Sequence, residues 1–212
     1  MSTKLKRDQL PKEKAENWKN NFRDEAEDTF NLKLAPIILQ KATYKSLIGE
    51  NENRVRVYLG LEETTSEGKY VLCAFAVSSF LLGSGDVYAD YETPVYKLEP
   101  QNIDFSDNTR KVIESIRLYR KWRAGEIDAE AKGAEYRQYI YPNAYLLTKF
   151  ELHELFNAQN REEIKIEFGI QKTMDVIVSA ASLKASENKD TEEFNTAGLC
   201  PPYCDERSIY NS

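Results

Sequence analysis

The sequence predicts an α+β protein: a mainly antiparallel sheet of about four strands, made from two repeated helix-hairpin units, with the helices on one face. Three observations predict it. A stretch occurs twice, strands within it alternate strictly between apolar and polar residues, and an amphipathic helix precedes both copies. The first copy runs through Leu47-Ile48, then residues 54–61, then residues 70–77; the second runs through Leu155-Phe156, then residues 163–170, then residues 175–181. Setting Gly60 over Gly169 matches Val55, Val57, Leu59 and Leu61 with Ile164, Ile166, Phe168 and Ile170. Two like units of this kind are expected to complete one sheet and share one core.

Residues 1–9, with Lys4, Lys6 and Arg7, form a flexible basic start. Pro11 suits the first position of a helix, and Trp18, Phe22, Ala26 and Phe30 recur every four residues as one apolar stripe. That stripe packs on the sheet or on another subunit, the first being the plainer reading. After Pro36, residues 37–48 read as a shorter helix ended by Gly49.

The first hairpin opens with Val55, Val57, Leu59 and Leu61 on one side and Arg54, Arg56, Tyr58 and Gly60 on the other, which predicts that one face is covered and one open. Residues 70–78 are apolar on both sides and read as the more central strand, with the polar loop 64–68 between the two. Gly83 to Asp86 marks a turn, and the next twenty residues, with Pro94 and Pro100, read as an irregular connection. Ser106-Asp107 caps a helix running to about Ala124 and stopped by Gly125, and residues 128–139 form a weaker helix. Thr148-Lys149-Phe150-Glu151 is a capping box, in which hydroxyl and carboxylate each satisfy a free amide at a helix start. Residues 10–183 therefore make one domain, and residues 184–212 a flexible linker and a docking tail.

Composition narrows the function classes. With 212 residues, 41% hydrophobic and 30% charged, the chain is a globular protein with a charged surface. No apolar run is long enough to span a membrane, and residues 1–11 are not a signal peptide, so a cytoplasmic location without a membrane partner is expected. A net charge of −6 repels nucleic acid and anionic lipid, so an anionic partner needs a local basic patch.

Such a patch lies at residues 110–123, where Arg110, Lys111, Arg117, Arg120, Lys121 and Arg123 face only Glu114. Trp122 sits among these cations, and Tyr136 and Tyr139 follow. Cations interleaved with aromatic faces suit a nucleotide or single-stranded nucleic acid. The plainer reading is a helix C-terminus whose dipole favours cations, with Val112, Ile113, Ile116 and Tyr119 as a core face. The outer sheet face, with Arg56 and Tyr58 beside the side-chain-free Gly60 and Gly169, is a second binding candidate.

Cys200 and Cys204 flank Pro201-Pro202-Tyr203. Two thiolates do not complete a tetrahedral metal site, and an extended Pro-Pro path, about 12 Å over four residues, is roughly twice the span of a disulfide. A disulfide requires the intervening residues to turn. A rigid docking tail with inert or occasionally oxidised thiols is the preferred reading, with a metal or redox site second. His153 lacks a second histidine four residues on, and no nucleophile, phosphate-loop or dinucleotide motif is present, so no cofactor is implied.

The Cys-Pro-Pro-x-Cys tail, close behind a hairpin with the Phe168-Gly169-Ile170 triplet, resembles a group of small bacterial proteins over the last quarter of the chain. The resemblance implies no activity and no functional residue. The preferred functional expectation is a cytoplasmic, non-enzymatic binding or assembly protein that meets a protein partner, or a second copy of itself, through the open sheet face, the first helix or the docked tail. The alternatives are a nucleotide- or nucleic-acid-binding protein or enzyme using residues 110–123, and a thiol or metal protein using Cys200 and Cys204.

Overall fold

The two hairpins lie in different sheets, and their apolar faces meet. The computed structural model describes residues 5–26, 32–63, 70–83, 85–127, 140–181, 192–195, 197–201 and 203–211. Along them run β1 (Gln9–Leu10), α1 (Lys12–Glu25), β2 (Lys33–Leu34), β3 (Ile37–Gln40), α2 (Lys41–Ile48), β4 (Arg54–Glu63), β5 (Tyr70–Leu81) and β6 (Tyr88–Lys97). There follow β7 (Ile103–Asp104), α3 (Thr109–Ala124), β8 (Ala144–Leu147), α4 (Lys149–His153), β9 (Glu163–Ile170), β10 (Met174–Ala180), β11 (Glu193–Phe194) and β12 (Ala197–Cys200). The loop 64–68, Phe30, the helix expected at 128–139 and most of the linker expected from residue 184 lie outside the described residues.

One sheet has five strands in the order β1-β11-β10-β9-β3, and the other has seven, β12-β8-β4-β5-β6-β7 with β2 parallel to β5. The single sheet of about four strands is therefore corrected, and the reason is a crossed pairing. β3 leads into the first hairpin yet pairs with β9 of the second, Leu39 opposite Ile164; β8 leads toward the second yet pairs with β4 of the first, Leu147 opposite Val55. Each hairpin thus recruits the other's leading strand. The alternating apolar rows of β4, β5, β9 and β10 then bury one another in a common core. α2 and the π-helical turn Glu154–Ala158 add to that core, with Tyr44 stacked on Phe156 at 4.7 Å. Each fully buried Leu or Phe there contributes about 1.5–3 kcal/mol.

Helices cover both outer faces instead of one. α1 crosses the five-stranded sheet with Ala15, Trp18 and Phe22 inward, and α3 crosses the seven-stranded sheet with Val112, Ser115 and Ile116 inward. The glycines permit both crossings. A Cβ at Gly169 would stand 2.9 Å from Trp18 Cβ, and one at Gly60 would collide with Ser115 Oγ. The side-chain-free positions are filled by the protein's own helices. Residues 56–61 of β4 are accordingly buried on both faces, not one.

Local differences have local causes. Ile37-Ile38-Leu39, expected as helix, is β3, because apolar β-branched residues beside β9 gain more as a strand than as a first helical turn. The connection after Gly85 contains the ten-residue β6, and Pro94 is tolerated there because the ladder with β5 shifts register between Val77 and Ser79. Glu193 and Phe194, expected in the linker, form β11 between β10 and β1. In the basic start, Lys6 pairs with Glu154 at 2.5 Å and Glu192 at 2.7 Å. The capping box at Thr148 and the left-handed Gly125 after α3 stand where the sequence places them.

Candidate functional site

Arg56 and Tyr58, expected on an open face, are fully buried. Arg56 Nε donates to Asp90 Oδ1 at 2.7 Å, its Nη2 to the Tyr88 carbonyl at 3.3 Å, and its Nη1 to the Tyr203 carbonyl. The same Asp90 carboxylate accepts from Tyr58 Oη and Ser79 Oγ, each at 2.5 Å. A buried charge pair is tolerated when its remaining lone pairs are satisfied in this way. Burial, and then the Asp90 charge, push the Tyr58 hydroxyl far above its ordinary pKa, so it stays a donor. This cluster holds the tail.

The tail reaches it from β12, which pairs with β8. Cys200 and Cys204 are joined in a disulfide with Cα atoms 4.7 Å apart. Of the alternatives the sequence leaves open, inert or oxidised thiols, the pair takes the oxidised one. The chain turns rather than running extended, the Tyr203 amide donating to the Leu199 carbonyl at 2.8 Å. The turn presents the Tyr203 carbonyl to Arg56, and Asp205 Oδ2 accepts from the Asp90 amide at 2.9 Å. Tyr210, buried beside Tyr58, donates its hydroxyl to the Glu92 carbonyl.

The helix 110–123 cluster separates into two faces. Trp122 is 1% exposed and stacks on Tyr119 at 5.6 Å inside the core, so it offers no platform for a base. Arg120 Nη2 donates to the Tyr210 carbonyl at 2.8 Å and to Asn211 Oδ1 at 2.6 Å, and Arg123 Nη1 donates to the Tyr141 carbonyl at 2.9 Å. Arg110, Lys111, Arg117 and Lys121 are exposed. Tyr136 and Tyr139 lie outside the described residues. The three-residue step from Tyr119 to Trp122 sets both rings on the buried side of the helix, away from these exposed cations.

His153 is exposed and lines a hollow of about 90 Å³ with Tyr44, Glu52 and Lys149. Among the described residues no group of three or more His, Cys, Asp and Glu side chains could hold a metal, and no helix is long and apolar enough to cross a membrane.

What sequence reasoning missed is the tip of the β5–β6 hairpin. Leu81 is 50% exposed, Leu82 46%, Val87 57% and Tyr91 42%. Beside the turn, the Leu82 amide donates to the Val87 carbonyl at 2.8 Å, Phe80 and Tyr91 have ring centroids 4.6 Å apart, and the Arg54 guanidinium lies 4.5 Å over Tyr88. The signal was available, since the apolar run Phe80-Leu81-Leu82 continues past the strand into the Gly83 turn, where polar residues are the rule. No family model, curated protein or solved structure matches the chain.

Proposed function

We propose that the protein is a non-enzymatic binding protein that seats the tip of its β5–β6 hairpin on an apolar surface of a protein partner. One observation carries this reading: four large apolar side chains, Leu81, Leu82, Val87 and Tyr91, stand 42–57% exposed near the end of one hairpin. Contiguous exposed apolar surface on a globular protein marks contact sites more often than accident. It is preferred to the three surfaces first considered because Arg56 and Tyr58 of the sheet face, Trp18, Phe22 and Ala26 of the helix stripe, and Cys200 and Tyr210 of the tail are buried within the chain.

The test is the double variant Leu81→Ser/Val87→Ser. Both side chains are half exposed, so the unfolding midpoint should hold while self-association in light scattering, or recovery of a partner from the source lysate, is lost. A wild-type protein that stays monomeric and recovers nothing more than the variant does refutes the reading.

A second reading rests on the exposed Arg110, Lys111, Arg117 and Lys121 of α3, which suit the phosphates of a single strand. It expects oligonucleotide binding in about 150 mM salt that Lys111→Glu/Lys121→Glu abolishes. The cytoplasm is the location proposed from composition, whereas the Cys200–Cys204 bridge favours an oxidising compartment. Alkylating free thiols in intact cells decides between them: a Cys200–Cys204 pair that escapes alkylation until it is reduced places the protein outside the reducing cytosol.

A further inference from the structure

β3 pairs with β9 only from Ile37 to Gln40, opposite Ile166 to Glu163, so β9 beyond Ile166 has no strand beside it on that edge among the described residues. A cavity of about 220 Å³ opens there, between the second half of α1, residues 34–37 and β9. Its floor is apolar and shielded: Phe22, Ile37, Leu72, Ile166 and Phe168 retain 2–5% exposure.

The charges around it are unbalanced. Lys19, Arg23 and Lys165 line the cavity with one carboxylate, Glu167. That carboxylate is already divided, Oε1 lying 2.7 Å from Lys165 Nζ and Oε2 3.4 Å from Lys19 Nζ. Lys19 also pairs with Glu193, and with Glu16 at 3.0 Å; burial disfavours its charge, but these carboxylates together outweigh burial and its pKa is raised. It remains a cation. A second, polar cavity of about 240 Å³, with Lys12, Glu16, Ser179 and Glu193, lies beyond the shared partition of Lys19, Lys165 and Glu167. The apolar space itself is therefore lined by three cations and one carboxylate, with Glu16 and Glu193 meeting Lys19 from the far side of the partition.

We propose that this cavity binds a small amphipathic anion, its apolar body resting on Phe22, Ile166 and Phe168 and its carboxylate between Arg23 and Lys165. The volume suits a body on the order of eight to ten non-hydrogen atoms. A neutral molecule of the same shape fills the floor but leaves the wall unmatched, and a cationic one meets like charge. The site is independent of the hairpin tip and stands or falls without it.

The experiment titrates the full chain with octanoate, octanol and octylammonium, followed by calorimetry and by methyl chemical shifts. Octanoate is expected to saturate, with shifts at Ile37, Leu72 and Ile166, and octanol to bind at least about tenfold more weakly. Arg23→Gln/Lys165→Gln should weaken octanoate about tenfold and leave octanol unchanged, while Ala35→Trp, at the cavity wall, should block both. Arg207→Gln, exposed near the C-terminus, should change neither. Octylammonium or octanol binding as tightly as octanoate overturns the proposal, as does octanoate that fails to saturate by about 10 mM or that binds the Arg23/Lys165 variant equally well.

Discussion

The guanidinium of Arg56 and the carboxylate of Asp90 meet at 2.7 Å with both side chains 1% exposed, and this pair joins the tail to the sheet. Neither partner can be removed alone without leaving a charge in an apolar setting. Asp90→Leu is expected to lower unfolding stability by about 3–5 kcal/mol, the cost of an unpaired buried cation. Urea denaturation measures it, and a loss below about 1 kcal/mol would contradict the assigned network.

Thiol counting checks the bridge next to that pair. Unfolded without reductant, the chain should titrate one thiol, the buried Cys73, out of its three cysteines. Reduction, or Cys200→Ser/Cys204→Ser, should cost about 2 kcal/mol for so short a loop. Amide exchange in residues 197–211 should quicken while that of β9 and β10 stays slow. Three reactive thiols would remove the disulfide.

Glu151 gives the protein a pH dependence near neutrality. Its side chain is buried at the start of α4, accepting from the Thr148 amide at 3.1 Å and from the Thr148 hydroxyl. Burial pushes its carboxyl from 4.5 up to about 7, against the opposing hydrogen bonds. The folded state therefore binds this proton more tightly than the unfolded one. The stability it contributes is fully present below pH 4.5 and is lost as pH rises through about 7. Glu151→Gln keeps an acceptor for the cap and removes the titration, so it should gain on the wild type across that window, by on the order of 3 kcal/mol. Parallel stability curves from pH 4 to 8 would rule this out.

The glycine contacts give a paired test. Gly60→Ala forces its new methyl against Ser115 and Phe75 and should cost about 1–3 kcal/mol. Ser115→Gly removes one obstacle, although Ser115 Oγ also donates to the Leu61 carbonyl at 3.0 Å. Together the two changes should cost less than the sum of their separate effects. Strict additivity would mean that α3 does not approach β4 at this point.

Much of the fold was legible in local pattern. The alternation from Val55 to Leu61 and from Ile164 to Ile170, the Thr148 capping box and the Gly125 stop all act within a few residues of chain, and each stands where expected. The candidate site was less legible, because Arg56, Tyr58 and Arg120 look the same in sequence whether they meet a ligand or the protein's own tail.

By itself the sequence determined the antiparallel hairpins, the amphipathic helices and the absence of a familiar catalytic motif, since period, caps and turn residues are set by neighbours along the chain. Only the tertiary structure decided that two sheets face each other, that each hairpin takes the other's leading strand, and that Tyr203 and Asp205 return to Arg56 and Asp90. Those pairings join residues far apart along the chain, Val55 with Leu147 and Arg56 with Tyr203 among them. They are selected by which apolar faces can be buried together and which buried charges can be satisfied at once, a condition on the whole chain.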